Sequence, residues 1–252
     1  MSWSSKRKTI YSGSFLAIVV LILSVAFYLF IYKLPTCADG KQNQDEQGVD
    51  CGGLCPIVCN FEAINPIVLW SRSFKVTDGI YNLLALVENP NFEFEALGVP
   101  YSFKVKDDEN ILIYERRGTV DILSRSVTPI FEKTVFASER TPSKTFFEFI
   151  GEPVWGKTIK GQSDLSVKNK IVSNFDTKPR LDVTIENKTE NTVKNIEVTA
   201  IVYDSEGNAI NISQTIIGSM KKNSSENIVF TWIEPFPENP SRIEVIPLVK
   251  YN

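Results

Sequence analysis

The 252-residue chain contains no histidine. That removes imidazole acid–base chemistry, Ser-His and Cys-His nucleophile pairs, and every zinc site built on imidazole. No G-x-S-x-G, P-loop or G-x-G-x-x-G occurs, so the usual nucleophile-elbow and phosphate-cradling routes lack sequence support. There is no basic excess either. Against 30 Asp and Glu stand 27 Lys and Arg, which argues against a nucleic-acid binder relying on a basic surface. Past Cys59 no long helical period occurs. What is present is an ordinary globular balance, 43% hydrophobic and 23% charged, with length for one large or two small domains.

One hydrophobic run stands apart. Phe15 to Tyr32 is 18 residues without a charge and with a single serine. At 1.5 Å per residue it measures roughly 27 Å, against a bilayer hydrocarbon core of about 30 Å. Tyr11, Tyr28 and Tyr32 lie near its ends, where amphipathic rings favour the interface. A buried core helix would carry a polar stripe, and this run has none. Lys6, Arg7 and Lys8 form a basic lead, so a cleaved signal peptide is the competing reading. The run is longer than an h-region of about 7–15 residues, and Lys33-Leu34-Pro35-Thr36 offers no Ala-x-Ala site.

The pattern therefore predicts an uncleaved signal anchor. Residues 1–11 form a cytoplasmic tail and 12–33 the transmembrane segment, which meets the lipid bilayer through Phe15 to Tyr32. By the positive-inside rule, everything after Tyr32 lies outside the cell membrane, extracellular or periplasmic. Residues 34–252 hold all 30 acidic residues and 23 of the 27 basic ones (Lys6, Arg7, Lys8 and Lys33 precede them), a net charge of −7. Such a domain is not drawn to anionic lipid or polyanions.

All four cysteines, Cys37, Cys51, Cys55 and Cys59, fall within residues 34–61. An even, clustered count on the oxidising side of a membrane predicts two disulfides, with three connectivities open. A four-thiolate metal site is the alternative, and the two x3 spacings match it only loosely. Between Cys37 and Cys51 the chain resembles the C-x-D-G-x-x-N-x-x-E-x-G-x-D-C-G-G-x-C segments of exported bacterial and extracellular proteins. Asp39, Asn43, Glu46 and Asp50 (with Asp45) are hard oxygen donors on a glycine-bearing loop, the donor set for calcium. The D-x-D-x-D-G core of an EF-hand and its position-12 Glu are missing. The expectation is a disulfide-tied connector whose carboxylates face water, with calcium as the alternative.

The remaining chain alternates in short runs broken by Asn, Asp, Gly and Pro, the pattern of an all-β sandwich. Leu181–Asn187 is apolar at every second position, and Ile196–Asp204 follows with the turn Ser205-Glu206-Gly207-Asn208. The same order occurs about 98 residues earlier: Leu83–Asn89, then Val99–Asp107, then Asp108-Glu109-Asn110. This predicts two tandem immunoglobulin-like β-sandwiches over residues 62–156 and 178–250. Residues 157–177 are a linker or the first strand of the second. Residues 178–250 should then fold alone.

Each copy resembles the FxLYD-type domain and its late-embryogenesis-abundant-like relatives. The shared pattern is a strand ending in Asn, a short loop, then F-x-L-Y-D and a turn. Here it reads Phe103-Lys-Val105-Lys-Asp107 and Ala200-Ile-Val202-Tyr203-Asp204, departing at Lys106 and Ala200. The resemblance implies small immunoglobulin-like sandwiches. The whole layout is similar to that of single-pass membrane proteins of small-genome bacteria.

Candidate chemistry is sparse. Asp107/Asp108 and Glu93/Glu95 read as solvated charge rather than a glycosidase dyad, which also needs a sugar cleft. Trp70, Trp155 and Trp232 could form a carbohydrate platform, but a sandwich core uses tryptophan more often. Asn89 and Asn187 read as turn residues. Asn187-Lys-Thr189, Asn211-Ile-Ser213 and Asn223-Ser-Ser225 match glycosylation acceptors. The expected function is a non-catalytic binding or structural module of the cell envelope with a protein or glycan partner and no nucleic acid. The alternative is an exported carboxylate-dependent enzyme such as a glycan hydrolase.

Overall fold

The computed structural model describes residues 3–30, 36–43, 45–137, 139–158 and 165–250, and the chain divides into two units, Met1–Cys55 and Pro56–Asn252. The first begins with helix α1, Trp3–Phe30. Within it Arg7–Leu29 is long and apolar enough to cross a membrane. Phe15, Leu16, Leu23 and Leu29 are all exposed, so the helix is apolar on every side and has no face that marks a protein core. Ile31 and Tyr32, which end the predicted run, lie outside the described residues.

The second unit is all-β and holds two sandwiches. In the first, one sheet has the order β1 (Ile67–Thr77), β2 (Ile80–Glu88), β5 (Val127–Phe136). The facing sheet has the order β4 (Leu112–Ile122), β3 (Phe94–Lys106), β6 (Lys144–Phe149), with β7 (Trp155–Lys157) on the start of β3. Leu83, Ala85 and Val87 of β2 meet Tyr101, Phe103 and Val105 of β3 in the core between them, with Ile122, Ile130 and Trp155.

The second sandwich repeats this plan. Its sheets run β8 (Leu165–Ser173), β9 (Arg180–Asn187), β12 (Ser224–Thr231) and β11 (Ala209–Met220), β10 (Val193–Tyr203), β13 (Arg242–Val249). Leu181, Val183 and Ile185 of β9 pack on Val198, Ala200 and Val202 of β10, with Phe230 and Trp232. The two stretches that repeat in the sequence, Leu83–Asn89 and Leu181–Asn187, are thus the central strands β2 and β9. Val99–Asp107 and Ile196–Asp204 lie in the equivalent strands β3 and β10, each running into the turn that follows.

A third apolar cluster joins the two sandwiches. Phe74, Leu84 and Leu86 on the far face of the β1-β2-β5 sheet pack with Ile201, Tyr203, Ala209 and Ile212 on the far face of the β11-β10-β13 sheet. Trp70, Phe131 and Ile246 pack against this seam. Four sheets are therefore stacked, and the inner two are apolar on both faces. The copies differ accordingly. Every residue from Leu83 to Val87 in β2 is buried, whereas its repeat mate β9 alternates strictly. In the other pair, Val198 to Tyr203 of β10 are all buried, whereas β3 turns Lys104 and Lys106 toward solvent. A strand covered on both faces reads as a continuous apolar run, and one covered on a single face reads as alternation.

The outward faces of the stack carry charged and polar pairs, with Phe146 and Ile171 among the exposed apolar exceptions. Arg180 pairs with Asp182 at 2.7 Å and Thr184 bonds Asn227 on the outer sheet of the second sandwich. Lys104 pairs with Glu148 and Arg117 with Glu115 on the outer sheet of the first.

The expectation that residues 178–250 form a complete sandwich needs correction. Strand β8 lies before that segment and completes the β9 sheet, pairing from Leu165↔Asn187 to Ser173↔Arg180. Cut at residue 178, the segment would lose β8 and bare Ile201, Tyr203 and Ile212. Its smallest intact form starts at Leu165. Two substitutions test the packing by denaturant unfolding of residues 34–252. Trp232→Ala should cost about 3–5 kcal/mol, as the loss of a buried aromatic does. Ile201→Ala, which touches only the seam, should cost about 2–5 kcal/mol, whereas a surface position would lose about 0.5 kcal/mol or less.

Candidate functional sites

The loop closed by the cysteines is ordered by its own carboxylates. Asp50, Gly52 and Gly53 all have left-handed backbone, with φ of 57°, 76° and 57°. A Cβ on Gly53 would lie 1.7 Å from the Asp45 carbonyl oxygen, so no other residue fits there. The Asp50 carboxylate accepts from the amides of Asp39 and Gly40, both at 2.9 Å. Asp39 accepts from the Asn43 side-chain amide at 2.9 Å and the Lys41 amide at 3.0 Å. These bonds, the Asn43 amide foremost, hold its carboxyl below the ordinary range despite some desolvation. Glu46 is buried and accepts from the Asn43 amide at 3.1 Å.

Hydrogen bonds link Asp39, Asn43, Glu46 and Asp50 within one loop, but the donor cluster that converges within 4.8 Å among the described residues is Cys37, Glu46 and Cys55, without Asp39 or Asp50. The carboxylates of Asp39, Glu46 and Asp50 do not merely face water, which corrects that part of the expectation. They are spent on the amides of residues 39–43, where the chain turns through the left-handed Gly40 (φ 74°) and those amides have no ladder partner. The Asn43 side-chain oxygen is buried without a hydrogen bond. All four cysteines are oxidised, with Cys37 bonded to Cys55 at a Cα separation of 5.7 Å. Cys37, Glu46 and Cys55 place donor-type atoms within 4.8 Å of one another. The two sulfurs form a disulfide, however, and offer no thiolate to a metal.

The buried asparagines and aspartates of the sandwiches do one job twice. Asn89 donates to the carbonyls of Phe94 and Leu123, each at 2.9 Å, and accepts from the Asn91 amide. Asn187 donates to the carbonyls of Asn191 and Lys221 and accepts from the Thr189 amide. Each ties the end of a central strand to the loop across the sandwich, as the turn reading expects, at 2% and 0% exposure. Asn187 is therefore closed to a glycosyltransferase in the folded chain.

Asp107 accepts from the Ile111 amide and Asp204 from the Asn208 amide, both at 2.8 Å, and Asn110 and Gly207 take the left-handed position of the two turns. Asp107 is buried and also pairs with Arg140, so its reading as solvated charge is wrong. It lines a groove of about 410 Å³ with Asp108, Glu109, Glu139 and Arg140. For both aspartates burial raises the carboxyl, but the turn amides outweigh it, with Arg140 adding to the effect at Asp107, and the net shift is downward.

Trp155 and Trp232 are buried in different cores, and the Trp232 Nε1 donates to the Ile212 carbonyl at 3.0 Å. Trp70 is partly buried at the seam. The three do not form a platform. One polar centre escaped sequence reasoning. Glu132 of β5 is buried and accepts from the Tyr101 hydroxyl at 2.7 Å and Arg116 at 2.8 Å, clamping β5 to β3 and β4 across the first sandwich. Burial and the Glu132 bond push the Tyr101 hydroxyl above its ordinary value. Gly118 lies opposite Tyr101 in the register, and a Cβ there would come within 2.5 Å of that hydroxyl. The isolated glycine in the β4 pattern was the available signal.

No family model matches the chain, and no curated protein matches it. Among solved structures, a β-glucuronidase from glycoside hydrolase family 2 is similar at 9% identity and a TM-score of 0.26, over 69% of this chain and 24% of that one. Red sea bream transglutaminase is similar at 11% identity and a TM-score of 0.24, over 74% and 32%. A Bacteroides uniformis β-glucuronidase is similar at 16% identity and a TM-score of 0.21, over 63% and 22%. The chain spans at most about a third of the length of these structures, and likeness at this level carries no argument about activity.

Two outcomes check the staples. The folded carboxyls of Asp107 and Asp204 sit below the ordinary 3.8, so their contribution is complete well above that value and is lost as pH falls from it through the lower folded values. Acid unfolding of residues 34–252 should therefore begin below about pH 4–5 and be shallower in Asp204→Asn. Gly118→Ala should cost about 1–3 kcal/mol, because the new methyl displaces Tyr101 from Glu132. An unchanged midpoint would deny the clamp.

Proposed function

We propose that this chain is a membrane-anchored, non-catalytic binding or structural module of the cell envelope, with its C-terminal region outside the membrane. The observation that carries the proposal is α1. Its run from Phe15 onward is apolar on every side and follows Lys6-Arg7-Lys8 in the helix's first turns, and the helix is followed by a segment whose four cysteines are all oxidised. The tuned groups support the non-catalytic half. Asp107 and Asp204 are depressed carboxylates fixed to turn amides, the opposite of the raised carboxyl that a glycosidase acid needs. Kinship with FxLYD-type domains is part of the proposal, supported by the Asn staple and Asp turn present in both copies. The segment between Cys37 and Cys59 serves as a stiff spacer whose carboxylates order the loop. Calcium, if it binds, must compete with the amides already held by Asp39, Glu46 and Asp50.

Protease added to intact cells or spheroplasts should remove a C-terminal tag, and protection of the tag would overturn the orientation. Non-reducing mass spectrometry should show the loss of four hydrogens, two per disulfide, with a Cys37–Cys55 cross-linked peptide. Capture of an envelope protein or glycan by residues 34–252 would identify the partner.

A further inference from the structure

A groove of about 470 Å³ lies along one edge of the second sandwich, between β8 and β13. Its floor is apolar: Val172 of β8 and Ile243 of β13 pack against the core cluster beneath. Among the described residues its charged lining is basic throughout, consisting of Lys170 and Arg242. The region around it, residues 34–252, carries 30 acidic residues against 23 basic ones.

Neither cation is a loose surface side chain. Strand β8 has a bulge between Lys168 and Ile171, where Asn169 takes left-handed backbone (φ 46°). A bulge re-aims a side chain out of its ladder. Here the Lys170 ammonium crosses to β13 and donates to the Ile243 carbonyl at 2.7 Å. That carbonyl takes one of its three protons. The Arg242 guanidinium lies over the Tyr203 ring, 4.1 Å from its centroid, and reaches Glu244 only at 3.5 Å. A stacked guanidinium keeps its edge donors for a planar acid. Phe175 adds a ring that is 42% exposed, in a β8–β9 loop closed by the Thr177 amide on the Asn174 carbonyl at 3.1 Å. Asn239 and Ser241 complete the lining with an amide and a hydroxyl.

These groups sort by chemistry. Two fixed cations suit an acid, an exposed ring beside an apolar floor suits the C–H face of a sugar, and the amide and hydroxyl suit its hydroxyl groups. An acidic peptide side chain would satisfy the cations alone. The surrounding negative charge repels a run of anionic groups, so the ligand carries an isolated carboxylate.

We propose that this groove binds a sugar bearing one carboxylate, at the end of an envelope glycan, through Lys170, Arg242 and Phe175. The proposal deepens the binding-module reading above and rests on it, and the test separates the two. The full chain in neutral detergent micelles is titrated with methyl α-galacturonoside, methyl α-galactoside and acetyl-aspartate amide, and saturation-transfer NMR gives each apparent Kd. The galacturonoside should bind about tenfold more tightly than the galactoside, the worth of one charge-assisted hydrogen bond. Lys170→Gln, which leaves the Arg242 stack in place, should remove most of that preference, and Phe175→Ala should weaken both sugars. All variants are compared at a wild-type thermal midpoint. Equal affinity for the two sugars, a preference kept in both Lys170→Gln and Arg242→Gln, or tighter binding of acetyl-aspartate amide would overturn the site. Release of methanol from either glycoside would overturn the non-catalytic reading instead, while the sugar preference would still decide the groove.

Discussion

The apolar seam between the β1-β2-β5 sheet and the β11-β10-β13 sheet decides most other features of the β region. It buries Leu84, Leu86 and Phe74 against Ile201, Tyr203 and Ile212, and so converts two small sandwiches into one four-sheet stack. A sandwich of about 85–90 residues has only a modest core when alone. Sharing a third apolar layer raises the area buried without enlarging either sandwich. The seam also explains why two copies of one plan are not interchangeable. The first copy presents the sheet containing β2, and the second presents the sheet containing β10. Contacts of that kind are heterologous and would propagate if the outer sheets were also apolar. The Arg180–Asp182 and Lys104–Glu148 pairs on those outer sheets stop the series at two.

Within each copy a small set of buried polar groups fixes the chain path. Asn89 and Asn187 close the strand ends, and Asp107 and Asp204 close the following turns, through equivalent atoms. Each would be costly unpaired, and each has its partners, so these residues specify geometry while remaining chemically quiet. The same economy governs the connector, where Asp39, Glu46 and Asp50 hold backbone amides across left-handed turns. The regions a reader of the sequence would search for chemistry are the ones where the backbone most needs acceptors.

The repeat was legible because the central strands must keep apolar residues at every second position to fill a core from one side. The helix was legible because a long run without a polar stripe has few other uses. The staples were legible at Asn89 and Asn187 and misread at Asp107, since a burial-plus-Arg140 environment depends on a residue 33 positions away. The seam was present in the sequence as the unbroken runs Leu83–Val87 and Ala200–Tyr203, which were read as alternation. Their mates, Leu181–Asn187 and Tyr101–Val105, show what one-sided burial looks like, and the contrast within each pair was the missed signal. The Tyr101–Glu132–Arg116 clamp joins three strands from two sheets, a proximity that no local pattern encodes.

If the seam binds the two sandwiches into one cooperative body, the amides of β2 and β10 should exchange hydrogen only through global unfolding. Native-state hydrogen exchange on residues 34–252 across a denaturant series measures this directly. The account predicts that amides in Leu83–Val87 and Val198–Tyr203 converge on one common, highest free energy of opening. Two separate plateaus, with one of these strands exchanging while the other stays protected, would contradict it.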